Sequence, residues 1–170
     1  MNSSHHIIIT GFMGSGKTTI ARALAHTLGR ELVDLDQVIA EQEGRTAKEI
    51  IEQDGENSFR EIETRSLGEV LGRSLPGVVA LGGGAWTLDR NRTLIDHAGG
   101  ITVWLDAPFD LCWERIHTSG GGRPLARDEG QARLLYAERR PLYALAKLHV
   151  RIGENDPDSV SAEIGQMLKT

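Results

Sequence analysis

Residues 11–18 read Gly-Phe-Met-Gly-Ser-Gly-Lys-Thr, and no other stretch constrains the chain as much. The octapeptide satisfies G-x-x-x-x-G-K-[ST] and stands between an apolar run, residues 7–10, and a helical pattern, residues 17–28, that Gly29 ends. Glycines at this spacing let successive backbone N–H groups turn inward around phosphate oxygens. The helix that follows points its positive end at the same place. The motif predicts that Gly14, Ser15, Gly16, Lys17, Thr18 and Thr19 hold a nucleoside triphosphate. Lys17 would reach the β and γ phosphates, and Thr18 would ligate magnesium. The motif does not say what accepts the phosphoryl group.

The rest of the composition narrows the class. With 170 residues, 39% of them hydrophobic and 25% charged, the chain is expected to fold as one soluble domain, residues 1–170. Nineteen Lys plus Arg against 24 Asp plus Glu give a net charge of −5, which argues against general nucleic-acid or membrane-surface binding. No apolar run approaches the ~20 residues that span a bilayer. Cys112 is the only cysteine, so neither an intrachain disulfide nor a zinc ribbon can form, and a reducing cytoplasm is the simplest compartment. His5 and His6 read as exposed residues before the first strand rather than as a metal pair, because adjacent side chains diverge. Eleven of the 20 glycines fall in four clusters, at 11–16, 82–84, 99–100 and 120–122, between apolar runs. Such clustering suggests loops where backbone approaches a ligand.

Short β-rich runs alternate with helical patterns. Strands are expected at 7–10, 31–34, 78–81, 101–105 and 148–152. Helices are expected at 17–28, 38–53, 57–72, 89–98, 110–116, 131–140, 143–147 and 159–168, with the break near 141 assigned to Pro141. This alternation implies a five-stranded parallel sheet covered by helices on both faces, a three-layer α/β/α fold with ligands outside the carboxyl ends of the strands. Asp34 and Asp36, two apart at the end of the second strand, would project to one side in extended geometry. One carboxylate could hold magnesium and the other accept a hydroxyl proton, and the competing role is helix capping.

The stretches GFMGSGKTT at 11–19, DLD at 34–36, FREIE at 59–63, GGGA at 82–85, GRPL at 122–125 and ERRPLY at 138–143 occur in the order seen in shikimate kinases. The chain resembles that family, a small branch of the P-loop NTPase type, over nearly its whole length. The resemblance implies an ATP-dependent kinase that phosphorylates the 3-hydroxyl of shikimate in aromatic amino acid biosynthesis, acting as a magnesium-dependent cytoplasmic monomer. It implies that residues 37–72 form substrate helices and that residues 117–127 form a mobile lid.

Residue by residue, the resemblance places Arg60 and Arg139 on the shikimate carboxylate and Gly82, Gly83 and Gly84 against the ring. It makes Asp36 the group that contacts the reacting hydroxyls, Asp34 the one near magnesium, and Glu63 a support for the substrate arginine. Arginine suits a carboxylate on independent grounds, because its planar fork donates two parallel hydrogen bonds. For Arg60 the competing role is an ion pair with Glu63 or Glu56, and for Arg139 a solvated helix face. Phe59 is either a wall of the site or core. Arg123 is similar to the lid arginine that reaches the transferring phosphate, and Arg115 to one stacking near adenine, with a helix-surface role as its alternative. Asn155 and Pro157 mark a candidate adenine loop. Two departures stand out: the segment 116–122 looks one residue longer than usual and reads His-Thr-Ser before its glycines, and Trp86 replaces a smaller apolar residue. Other functions the residues allow are a kinase of gluconate or another small hydroxy acid, and a nucleotide-binding module without turnover.

Overall fold

In the computed structural model, residues 4–118 and 128–170 are described. Among them, Ile7–Thr10 (β1), Leu32–Asp34 (β2), Val78–Ala80 (β3), Ile101–Asp106 (β4) and Leu148–Arg151 (β5) form one parallel sheet in the order β2-β3-β1-β4-β5. β1 is the centre: Ile9 is in register with Ala80 on one side and Val103 on the other. Every residue of β1 and β3 is buried, as strands covered on both faces must be. β5, at the edge, has exposed His149 and Arg151 beside buried Val150. The fold is the three-layer α/β/α arrangement with the central five-stranded parallel sheet that the alternation predicted.

The helices are Lys17–Leu28 (α1), Leu35–Glu43 (α2), Ala47–Asp54 (α3), Glu56–Leu71 (α4), Asp89–His97 (α5), Phe109–Thr118 (α6), Glu129–Tyr143 (α7) and Pro157–Met167 (α8), with a 3-10 turn at Ala85–Thr87. After β3 the chain crosses β1 to pair its other side as β4. A crevice outside the strand ends is expected at such a crossing, and the glycine loop at the end of β1 sits there.

Four expectations need correction. The helix expected over 38–53 is two helices: Gly44, at φ 65°, ends α2, and a capping box between Thr46 and Glu49 starts α3. No helix covers 143–147; α7 instead runs on through Pro141 and ends at Tyr143, because the proline lies in its last turn. Asp36 is not in a strand. It lies in the first turn of α2, and Asp34 is that helix's N-cap. His6 is buried rather than exposed, and its Nδ1 accepts a 3.0 Å hydrogen bond from the Gly77 N–H. Burial, helped by Arg30 and Arg73, holds the His6 pKa below its usual value.

Candidate active site

The loop between β1 and α1 is bent by glycines at positive φ, 78° at Gly14 and 93° at Gly16. Gly14 has a second constraint: a methyl there would lie 2.5 Å from the Cys112 carbonyl oxygen, so α6 packs directly on the loop backbone. Gly16 caps α1 with no side-chain bond. The first N–H groups of the helix therefore face the loop, as an anion site requires. Lys17 folds back along the loop, and its Nζ donates to the carbonyls of Gly11 and Phe12 at 2.9 Å each.

Asp34 does two things at once. Its Oδ1 accepts from the backbone N–H groups of Asp36 and Gln37 at 3.1 and 3.3 Å, which caps α2. Its Oδ2 accepts from Thr18 Oγ1 at 2.8 Å. Capping and a site role are not alternatives here, since each uses a different oxygen. The Thr18 and Asp34 oxygens form a small, hard donor set of the kind magnesium takes.

Helix α4 brings Phe59, Arg60 and Glu63 to the cleft. Phe59, Arg60 and Glu63 share one face because they are spaced at three and four positions. Phe59 is 4% exposed and also lines the cleft, so it is both core and wall. Arg60 Nη1 donates to Glu63 Oε1 at 2.7 Å and Nη2 to Glu56 Oε1 at 3.3 Å. The Glu63 side chain is 1% exposed. Its burial pushes the carboxyl pKa up to about 7, while the Arg60 charge opposes the rise and Asp36 adds to it.

The glycine triplet after β3 brings these groups together. A methyl on Gly82 would stand 3.0 Å from Asp36 Oδ1 and 3.3 Å from Glu63 Oε2. One on Gly83 would stand 3.5 Å from Arg139 Nη1, and one on Gly84 would overlap the Arg60 guanidinium at 2.7 Å from Cζ. Arg139 comes from α7 and is only 8% exposed, which excludes the solvated helix face. Arg115, on α6, reaches the phosphate loop: its Nη1 donates to the Gly14 carbonyl at 3.4 Å.

One cleft of about 740 Å³ is lined by Gly14, Gly16, Lys17, Thr18, Thr19, Asp34, Asp36, Arg60, all three glycines of the triplet, Arg115 and Arg139. Ser15 lies buried beneath the loop. Arg123 and most of the expected lid fall outside the described residues. Asn155, in the connection from β5 to α8, and Pro157, the first residue of α8, are exposed and do not line the cleft. Thr46, Lys48 and Ile51 do line it and were not singled out from the sequence. The T-x-x-E signal that starts α3 would have placed them on a separate helix. A second groove, about 750 Å³, lies between α7 and the β4–β5 edge. It holds none of the expected residues, and its Arg140 is occupied by both oxygens of Asp106.

Comparison with known proteins points to one family. The family profile described as "Shikimate kinase" matches residues 13–169. A shikimate kinase of Synechococcus sp. (strain CC9902) is 42% identical over 172 residues, covering 99% of this chain and 88% of that protein. One of Thermobifida fusca is 39% identical over 171 residues, covering 99% and 97%. Among solved structures, the shikimate kinase from Acinetobacter baumannii in complex with shikimate superposes with a TM-score of 0.91 at 35% identity, covering 98% of this chain and 94% of that one.

Proposed function

The chain belongs to the shikimate kinase family, and from that premise we propose how its residues divide the work. The enzyme transfers the γ-phosphoryl group of ATP to the 3-hydroxyl of shikimate, giving 3-phosphoshikimate and ADP. In that transfer the hydroxyl oxygen bonds to the γ phosphorus and the bond to the β–γ bridging oxygen breaks. The hydroxyl proton passes to Asp36. The observation that carries the assignment is the meeting of Arg60 and Arg139, from helices far apart in the chain, on adjacent glycines of one turn. Two guanidinium groups beside backbone that carries no side chains suit a carboxylate on a hydroxylated ring. A neutral sugar would offer neither arginine a carboxylate.

Gly14, Ser15, Gly16, Lys17, Thr18 and Thr19 take the ATP phosphates, and Arg115 lies on the nucleotide side of the loop. Thr18 and Asp34 would hold magnesium through their adjacent oxygens. Bound there, the ion would neutralise charge on the β and γ oxygens. Lys17 opposes the charge that develops on the transferred group. Arg123 is assigned the same task by its GRPL motif alone. Asp36 aligns the hydroxyl beside Gly82 and takes its proton. We read residues 1–170 as one kinase domain acting as a monomer in the cytoplasm. The lone cysteine, Cys112, is buried and forms no disulfide, as a reducing compartment allows.

The test is Arg60→Ala. The shikimate KM is expected to rise at least tenfold, the scale of one charge-assisted pair, about 1.5–3 kcal/mol, with the ATP KM nearly unchanged. Equal loss of both would count against Arg60 as a carboxylate anchor.

A further inference from the structure

The two arginines sit on different helices, so their spacing must be set by whatever joins those helices. Four hydrogen bonds do this through the turn that follows the glycine triplet. On the α4 side, Thr64 Oγ1 donates to Asn91 Oδ1 at 2.7 Å, and Asn91 Nδ2 donates to the Ala85 carbonyl at 2.9 Å. Asn91 is fully buried. On the α7 side, Trp86 Nε1 donates to the Leu142 carbonyl at 2.8 Å, and the Tyr143 hydroxyl donates to the Gly83 carbonyl at 2.5 Å. Thr64 is one helical turn beyond Arg60, and Leu142 is just under one turn beyond Arg139.

The α7 side needs such a fastening. Pro141 has no N–H, so the Ala137 carbonyl receives no i+4 bond, and Arg139 lies within that weakened turn. Helical hydrogen bonds alone hold Arg139 less firmly than they hold Arg60. Trp86 is 4% exposed and is itself fixed, since Arg92 Nη1 donates to its carbonyl at 2.8 Å.

We propose that Trp86 is a positioning residue for the acceptor site. Its indole N–H, together with the Tyr143 hydroxyl, fastens the proline-bearing end of α7 to the glycine turn and sets where Arg139 stands relative to Arg60. A smaller apolar side chain at this position would fill space but supply no donor. The proposal rests on the reading of Arg60 and Arg139 as carboxylate anchors.

A double-mutant cycle read by calorimetric titration of shikimate without nucleotide tests it. Trp86→Phe keeps a ring and loses the N–H. It is expected to weaken shikimate binding about three- to tenfold, the range of one hydrogen bond, with the ATP KM unchanged. In an Arg139→Ala background the same change is expected to have no further effect. No weakening by Trp86→Phe alone, or equal weakening in both backgrounds, overturns the proposal. Arg139→Ala that binds shikimate normally overturns the arginine reading as well. If Trp86→Phe fails to fold, the indole ¹⁵N–¹H resonance of Trp86 in the wild-type protein decides, assigned by elimination with Trp104→Phe and Trp113→Phe. It is expected to shift on shikimate addition, and a resonance that stays still overturns the proposal.

Discussion

Arg60 Nη1 donates to one oxygen of the Glu63 carboxylate at 2.7 Å, while the other oxygen, Oε2, is buried with no hydrogen-bond partner among the described residues. Burial pushes this carboxyl from 4.5 to about 7, with Arg60 opposing and Asp36 adding to the shift. The folded protein thus holds the proton more tightly than the unfolded chain does. The stability this group contributes is complete below pH 4.5 and is lost as pH rises through about 7. A shift of this size corresponds to a difference on the order of 3 kcal/mol between the two protonation states. The substrate-free melting temperature is expected to fall between pH 5.5 and 8, and Glu63→Gln is expected to flatten that fall. Parallel profiles for the two proteins would show that Glu63 does not titrate in this window.

Gly84 and Gly14 predict opposite kinds of damage from the same substitution. At Gly84, φ is −98°, which alanine accepts, and the atoms nearest the added methyl all belong to the Arg60 guanidinium. Gly84→Ala is expected to raise the shikimate KM about tenfold, as displacement of one charge-assisted bond would, and to leave the melting temperature nearly unchanged. At Gly14, φ is 78° and the methyl meets the Cys112 backbone at 2.5 Å. Gly14→Ala is expected to cost about 1–3 kcal/mol of stability and to weaken ATP binding. The two are separated by thermal melting alongside both KM values.

Asp34 allows its cap and its charge to be tested apart. Asp34→Asn keeps an oxygen for the Asp36 and Gln37 N–H groups, so the cap on α2, worth about 1 kcal/mol, should survive. It removes the negative charge beside Thr18 Oγ1. The magnesium concentration for half-maximal activity is expected to rise at least tenfold with little change in melting temperature. An unchanged magnesium dependence would remove Asp34 from the metal site.

The sequence shows local relationships well and distant ones poorly. The phosphate loop, α1 and its Gly29 end were readable because strand, glycines and helix are contiguous. Arg60 and Glu63 were readable as a pair because three positions on a helix share a face. The break between α2 and α3 was also written in the chain, as Gly44 and then Thr46 and Glu49, but apolar periodicity running across it suggested one helix. The placement of Asp36 failed for a related reason: Asp34 caps a helix one residue after the strand ends, so extended geometry stops there. What no local pattern could show is the pairing of Trp86 with Leu142 or of Tyr143 with Gly83, at separations of 56 and 60 residues. Those bonds depend on where β3 and α7 pack in three dimensions.

The measurement that bears most directly on the central claim is ADP formation from MgATP, alone and with shikimate, gluconate or quinate. Strong stimulation by shikimate and by neither of the other two is the expected result. Slow ADP formation indifferent to all three would contradict it. The phosphate loop would keep its assignment, and the acceptor site built by Arg60, Arg139 and the glycine turn would lose its own.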